Sequence, residues 1–395
     1  MIHSIKVKNF YSIDSEQTVS FVAGKKTVMN NSYTKSAGEQ VSKVNLFIGS
    51  NGSGKTNILK ALSFVGWLLS SSFAHPVSSE LPFKPFFDSK ESSSIEVVFE
   101  NKDKIFTYYV EFNRLQILEE KLLVNQIIET RRTDKLLLSR KYELESDSYR
   151  FEGDPLAVKL FSNSIVFLER KNSSVVAIGA QFTYDFALEV SKYWANINTN
   201  VYERGYGGDN NFSLVRNLLE FQINPESQKK VEKVLRKFDL GFDSLSFIAE
   251  TQGSNTSIRD VKEVHIFDGI KCENDISYAS QGTKRLISII QFILLAIERK
   301  CPVILDEIEA FLHPDILREI IDLFIDPDVK AQIIFTSHSH IIMNKLDKNQ
   351  IYLTEKNAKT GSTEVYNLAS INGVRSDDNY YNKYIAGAYG AIPRI

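Results

Sequence analysis

Eight consecutive residues, Gly49-Ser50-Asn51-Gly52-Ser53-Gly54-Lys55-Thr56, have the make-up of an anion cradle. Glycines and small side chains let successive backbone N–H groups turn toward one point without a Cβ clash. Lys55 adds a mobile positive charge for the outer phosphates of a nucleotide, and Thr56 a hydroxyl suited to Mg²⁺. A helix starting there, with Asn57 in its first turn, adds its own positive end. A second group is Asp306-Glu307, at the exit of the apolar run Pro302 to Leu305. One acid can hold the metal and the other orient or activate water, which suffices for phosphoryl transfer, a reaction governed by charge neutralisation and positioning. Ser280-Gln281-Gly282-Thr283 is a small, hydroxylated turn ahead of an apolar helix, a further place for an anion. Phe335-Thr336-Ser337-His338 ends an apolar strand in a histidine, where a sensor of the terminal phosphate would stand.

These groups need strands and helices to hold them. Lys43 to Ile48 reads as a buried strand and about Thr56 to Leu69 as an apolar helix, so the glycine-rich loop has a strand before it and a helix after it. Residues 280–345 read helix, strand, helix, strand, helix, an α/β core. Residues 95–112 and 115–152 have the β-branched and aromatic content of a β-meander. From about 155 to 240 the pattern is helical, Ser244 to Ile270 alternates, and the tail beyond 350 shows one strand and a tyrosine-rich end. The expected organisation is an α/β protein whose head has an N-terminal lobe (1–152), a helical insertion (153–243) and a C-terminal lobe (244–395).

Phosphate loop, signature turn, acidic strand and histidine, in this order, resemble the ATP-binding-cassette superfamily. Lys8-Asn9-Phe10, Gly49 to Asn57, and Asp306-Glu307-Ile308-Glu309 ahead of Leu312-His313-Pro314 resemble its recombination and structural-maintenance (SMC) ATPases and the overcoming-lysogenization-defect ATPases. The resemblance implies a P-loop ATPase head of mixed sheet plus antiparallel β subdomain, using ATP and Mg²⁺. It assigns Gly49, Ser50, Asn51, Gly52, Ser53, Gly54, Lys55, Thr56 and Asn57 to the nucleotide, Thr56 and Asp306 to the metal, and Glu307, His338 and Lys55 to catalysis. It further implies head-to-tail dimers in which Ser280, Gln281 and Gly282 of one copy complete the site of the other. No glutamine loop is legible after the first helix, and Lys84, in Pro82-Phe83-Lys84-Pro85, is a poor candidate for that role. Tyr380-Tyr381, Tyr384, Gly387 and Tyr389 to Pro393 resemble the C-termini of ATPases from abortive-infection and restriction-linked loci, which work beside a separate effector. The residues after His338 are too few for a fused nuclease, so the expected partner is a separate nuclease or other effector in antiphage defence. A DNA-repair ATPase acting directly on DNA, and a slow scaffold assembled by ATP, are the alternatives.

The net charge of −2 excludes a globally basic nucleic-acid binder, so contact with nucleic acid would need local patches. Two are candidates: Lys229, Lys230, Lys233, Arg236 and Lys237 on one side of an amphipathic helix, and Arg131, Arg132, Lys135, Arg140 and Lys141 near a hairpin. Cys272 and Cys301 lack metal-ligand spacing and are expected to be buried, reduced thiols. The longest apolar runs fall short of the roughly 20 residues of a membrane span, and the start lacks a signal-peptide pattern. A cytoplasmic protein is expected.

Overall fold

The structure, a computed structural model, describes the chain except residues 25–26, 28–29, 37, 129–130, 163–169, 203–204, 207–224, 239–240, 253–254 and 393–395. Two large sheets share one helix between them. The first is antiparallel and contains β1 (Ile2–Lys8), β2 (Gln17–Ser20), β6 (Ser93–Asn101), β7 (Lys104–Phe112), β8 (Ile117–Ile128), β9 (Arg131–Glu143) and β10 (Ser148–Gly153). Their order is β10-β9-β8-β7-β6-β1-β2. A hairpin, β3 (Tyr33–Ser36) and β4 (Glu39–Ser42), leads into the second sheet. That sheet contains β5 (Val44–Gly49), β11 (Asn198–Thr199), β17 (Pro302–Leu305), β18 (Gln332–Thr336), β19 (Ile351–Lys356) and β20 (Thr363–Asn367), in the order β11-β17-β18-β5-β19-β20. It is parallel through β19, with β20 antiparallel at the edge. The tail thus supplies two strands where its pattern suggests one.

The apolar run of β5 is buried along its whole length because both faces of this sheet are covered. Val44, Leu46 and Ile48 face a core built with Leu286, Ile290, Ile320 and Phe324 of helices α6 (Gln281–Arg299) and α7 (Pro314–Ile325). Phe47 faces the opposite core, where α1 (Lys55–Ser70) buries Ile58, Leu62, Val65 and Leu69 against both sheets.

Residues 153–243 hold α2 (Pro155–Ser162), α3 (Val175–Gln181), α4 (Asp185–Ala195) and α5 (Pro225–Phe238), with β11, β12 (Val201–Tyr202) and β13 (Gly205–Tyr206) between α4 and α5. The segment is therefore not helical throughout, and β11 pairs within the central sheet. Beyond it, β14 (Phe242–Gln252), β15 (Asn255–Phe267) and β16 (Ile270–Asp275) form a separate antiparallel sheet. The last helix among the described residues is the short α8 (Tyr380–Ile385).

The basic patches change character in the fold. Arg140 is wholly buried and ion-paired to Glu120 at 3.0 Å, so it belongs to no surface patch. Lys135 and Lys141 are exposed, and the side chains of Arg131 and Arg132 lie outside the described residues. On α5, Val231 and Leu235 are buried as the amphipathic pattern requires. Lys229, Lys230 and Arg236 are paired with Glu226, Glu298 and Glu232. Both cysteines are free; Cys301 is buried, whereas Cys272 is exposed on β16. Among the described residues, no helix is long and apolar enough to cross a membrane.

Candidate active site

Strand register brings the chemistry to one edge. β17 and β18 pair with Leu305 beside Phe335, and β18 pairs β5 with Thr336 beside Phe47. The exits of three neighbouring parallel strands therefore carry the glycine-rich loop, Asp306-Glu307 and Ser337-His338 together, at the carboxyl end where open α/β sheets place their ligands.

The loop closes tightly before α1. Gly54 caps that helix with φ +99°, and a Cβ there would lie 2.1 Å from Thr363 Oγ1. Both the left-handed backbone and the contact demand glycine. At Gly49 a Cβ would meet the Thr354 carbonyl at 2.3 Å. Ser53 turns inward and bonds Thr354 Oγ1 at 2.7 Å.

A cleft of about 370 Å³ opens over this loop, lined by Ser12, Asn51, Gly52, Gly54, Lys55, Thr56, Asn57, Asp306, Glu307 and His338. Lys55 Nζ donates to the carbonyls of Gly49 at 2.9 Å and Ser50 at 3.1 Å. Burial lowers its pKa, while Asp306, Glu307 and Glu309 pull in the opposite direction. Thr56 Oγ1 lies 2.9 and 3.2 Å from the two carboxylate oxygens of Asp306. Thr336 Oγ1 donates to Asp306 Oδ1 at 2.5 Å and accepts from the Glu307 N–H at 2.8 Å. Glu307 has φ +47°, a costly conformation for a long side chain and one that clusters at functional sites. Its Oε1 stands 3.9 Å from His338 Nε2. The His338 N–H donates to Glu309 Oε1.

Ser280, Gln281 and Gly282 do not line this cleft. Ser280 Oγ caps α6 by accepting from Thr283 N–H at 3.0 Å, and Ser280 and Gln281 are exposed. His313 caps α7 with Pro314 in its first turn, on an equally exposed segment.

The family model described as "AAA domain, putative AbiEii toxin, Type IV TA system" matches residues 44–344, from the strand before the loop to the turns after His338. The chain belongs to this family. A solved SmcHead bound to the C-winged helix domain of ScpA shares its fold, with 17% identity, a TM-score of 0.51 and coverage of 92% of this chain and 97% of that one. The SMC head domain from Thermotoga maritima aligns at 14% identity and a TM-score of 0.45, over 93% and 98% of the two chains. No curated protein matches the sequence. Family and fold together make the chain an AAA-family domain with the fold of an SMC head.

Several residues at the site carry no motif. Asn200 bonds the main chain of Asp306. Buried Arg285, in the first turns of α6, donates through Nη2 to the carbonyls of Asp306 and Glu307, each at 3.3 Å. Ser12 bonds both Asn57, at 2.5 Å, and Thr363, at 2.6 Å. Tyr11, next to Ser12, does not line the cleft; Lys60 Nζ lies 4.1 Å from its ring centroid.

The aromatic tail packs directly onto the phosphate loop. Ser50 N–H donates to the Ala391 carbonyl at 3.1 Å, and that carbonyl also accepts from Tyr384 OH at 2.8 Å. The Tyr384 ring stacks on His340, centroids 4.9 Å apart. Pro393 lies outside the described residues. Tyr384→Ala removes a buried aromatic of the kind whose truncation costs about 3–5 kcal/mol. It should also loosen the Ser50 end of the loop, so nucleotide affinity in direct titration is expected to fall together with thermal stability.

Proposed function

We propose that the protein binds and hydrolyses ATP in this cleft, closing on a second copy of itself, and that closure controls a separate effector in antiphage defence. The observation that carries the reading is the meeting of Thr56 and Asp306 across the cleft at 2.9 Å, with Lys55, Glu307 and His338 lining the same space. The hydroxyl and carboxylate are hard oxygen donors held side by side, which suits Mg²⁺. Thr56 and Asp306 would hold the ion, and it would neutralise phosphate charge there. Loop amides and Lys55 bind the phosphates, with Lys55 exchanging the Gly49 and Ser50 carbonyls for phosphate oxygens. Glu307 orients water and takes its proton. His338 contacts the terminal phosphate beside it.

The exposed turn at Ser280, Gln281 and Gly282 supports dimerisation, because it stands outside its own cleft and is free to cover a partner's nucleotide. His313 and Pro314 would cross the same interface. The family's AbiEii description supports the defence reading. Direct action on DNA is the weaker alternative, since three of the five α5 cations are already paired with glutamates.

The test is the mass of the purified chain with and without ATP and Mg²⁺, for the native protein, Glu307→Gln and Lys55→Ala, alone and with the products of neighbouring genes. Glu307→Gln is expected to dimerise with ATP and stay dimeric. Lys55→Ala should remain unchanged by ATP and bind none. A mass indifferent to nucleotide in the first two proteins would overturn the closing-head mechanism, and the lack of any effector among the neighbouring products would remove the defence role.

A further inference from the structure

We infer that Asn200 is a positioning residue for Asp306, and that through it the middle of the chain becomes part of the structure that aims the metal-binding acid. The inference rests on the ATPase reading above. Asn200 Nδ2 donates to the Asp306 carbonyl at 2.9 Å, and the Asp306 N–H donates to Asn200 Oδ1 at 2.8 Å. One side-chain amide thus satisfies both main-chain groups of one residue, as a neighbouring strand would.

The local chain path explains why a side chain does this. β11 pairs in parallel with β17 for only two rungs, Asn198 with Val303 and Thr199 with Ile304. The backbone then leaves the sheet. Val201 N–H donates to Thr199 Oγ1 at 2.9 Å, and buried Val201 enters the core against α1. Thr336 of β18 flanks Asp306 on one side; on the β11 side no strand among the described residues continues beside it, and the Asn200 carboxamide takes that place. Both residues are enclosed, Asn200 at 9% and Asp306 at 2% exposure, so the two peptide groups would otherwise be costly to bury.

The consequence falls on Asp306 because of its position. Its carboxylate is aimed at Thr56 and Thr336, while the next residue sits in the left-handed region. A chain that turns so sharply after Asp306 has no regular ladder to hold it, and a fixed main chain at 306 is what keeps the carboxylate beside Thr56. Arg285 reaches the same carbonyl from a second element, the helix that begins at the signature turn. The Asp306 peptide is therefore gripped by two elements, α6 and the α4–β11 segment. Val190 and Trp194 of α4 share the core of α1, whose first residues are Lys55 and Thr56. Groups that orient a metal ligand from behind are costly to lose, about 10–100-fold in metal affinity or activity.

The experiment uses the full chain as native protein, Asn200→Ala and Asn200→Asp. Asn200→Asp keeps the volume and the acceptor but cannot donate, and it carries the test if the alanine variant fails to fold. Phosphate release, thermal stability and binding of a fluorescent ATP analogue are measured, the last without metal and across Mg²⁺ and Mn²⁺ titrations. In Asn200→Ala, kcat should fall and the half-saturating metal concentration rise by about 10–100-fold, with metal-free nucleotide affinity unchanged. Asn200→Asp, which sets an acceptor oxygen against the Asp306 carbonyl, should lose at least as much. Native kcat and native metal dependence in both variants would overturn the inference. So would a loss of metal-free nucleotide affinity that simply tracks lost thermal stability, which is what a purely structural role gives. If the native protein itself shows neither turnover nor metal-dependent nucleotide affinity, the ATPase reading falls first and the inference with it.

Discussion

Glu307→Gln is expected to bind ATP as the native protein does and to lose turnover by roughly 10²–10⁴-fold, the usual contribution of a positioned general base. The substitution keeps the length of the side chain and the backbone, including the Glu307 N–H bond to Thr336 and the left-handed turn. It removes the charge that would accept a proton from water. In the proposed mechanism the neighbouring His338, 3.9 Å away, is engaged with the terminal phosphate and would not make up the loss. Phosphate release under saturating ATP, with nucleotide affinity measured beside it, separates the two effects. Turnover at the native rate would remove Glu307 from the base role and turn attention to Glu309, whose Oε1 accepts from the His338 N–H.

The largest effect on stability is expected at Glu120. This buried carboxylate, on β8, sits directly opposite Arg140 on β9 and pairs with it at 3.0 Å. It also accepts from Tyr108 OH at 2.8 Å, Ser174 Oγ at 2.5 Å and the Val175 N–H at 3.1 Å. It therefore fastens the start of α3 to the antiparallel sheet. Arg140 is held on its other side by the Ser173 carbonyl at 2.5 Å and by the Tyr149 ring. Glu120→Ala strands a buried guanidinium, which typically costs about 3–5 kcal/mol. Urea unfolding should register this as a lower midpoint. Replacing both Glu120 and Arg140 with methionine should recover only part of the loss, because the guanidinium is no longer orphaned but Tyr108, Ser174 and Val175 still lose their buried acceptor. An Ala variant as stable as the native chain would show that water reaches Arg140.

Much of the candidate site was legible because its parts are local. On the proposed reading Gly49 to Thr56 would bind phosphate through consecutive amides, so their composition by itself points to that role. The Asp306-Glu307 pair is read from the apolar strand before it. Other parts were silent. Thr336 looked like one more residue of an apolar strand end, yet its hydroxyl joins Asp306 to the Glu307 amide. Arg285 follows Lys284 at the start of a helix, a place that suits a solvated cation, yet it is buried against the acidic turn. Arg140 was grouped with surface cations because its neighbours in sequence are basic. Its burial depends on the register of β8 against β9, and that register is not written in either strand alone.

By itself the sequence determined the alternation of strands and helices, the phosphate loop, the acids at a strand exit and the order of the four motifs. Each is set by backbone preference or by contacts within a few residues, so each survives reading one segment at a time. Only the tertiary structure decided which segments stand behind those groups. It placed Asn200 against Asp306, Ala391 against Ser50 and Glu120 against Arg140. Such pairs join segments that meet only after sheets have formed and helices have packed between them. Hydrogen bonds and ion pairs of this kind impose no spacing on the chain, and their partners become specific only when burial leaves each polar group one place to go.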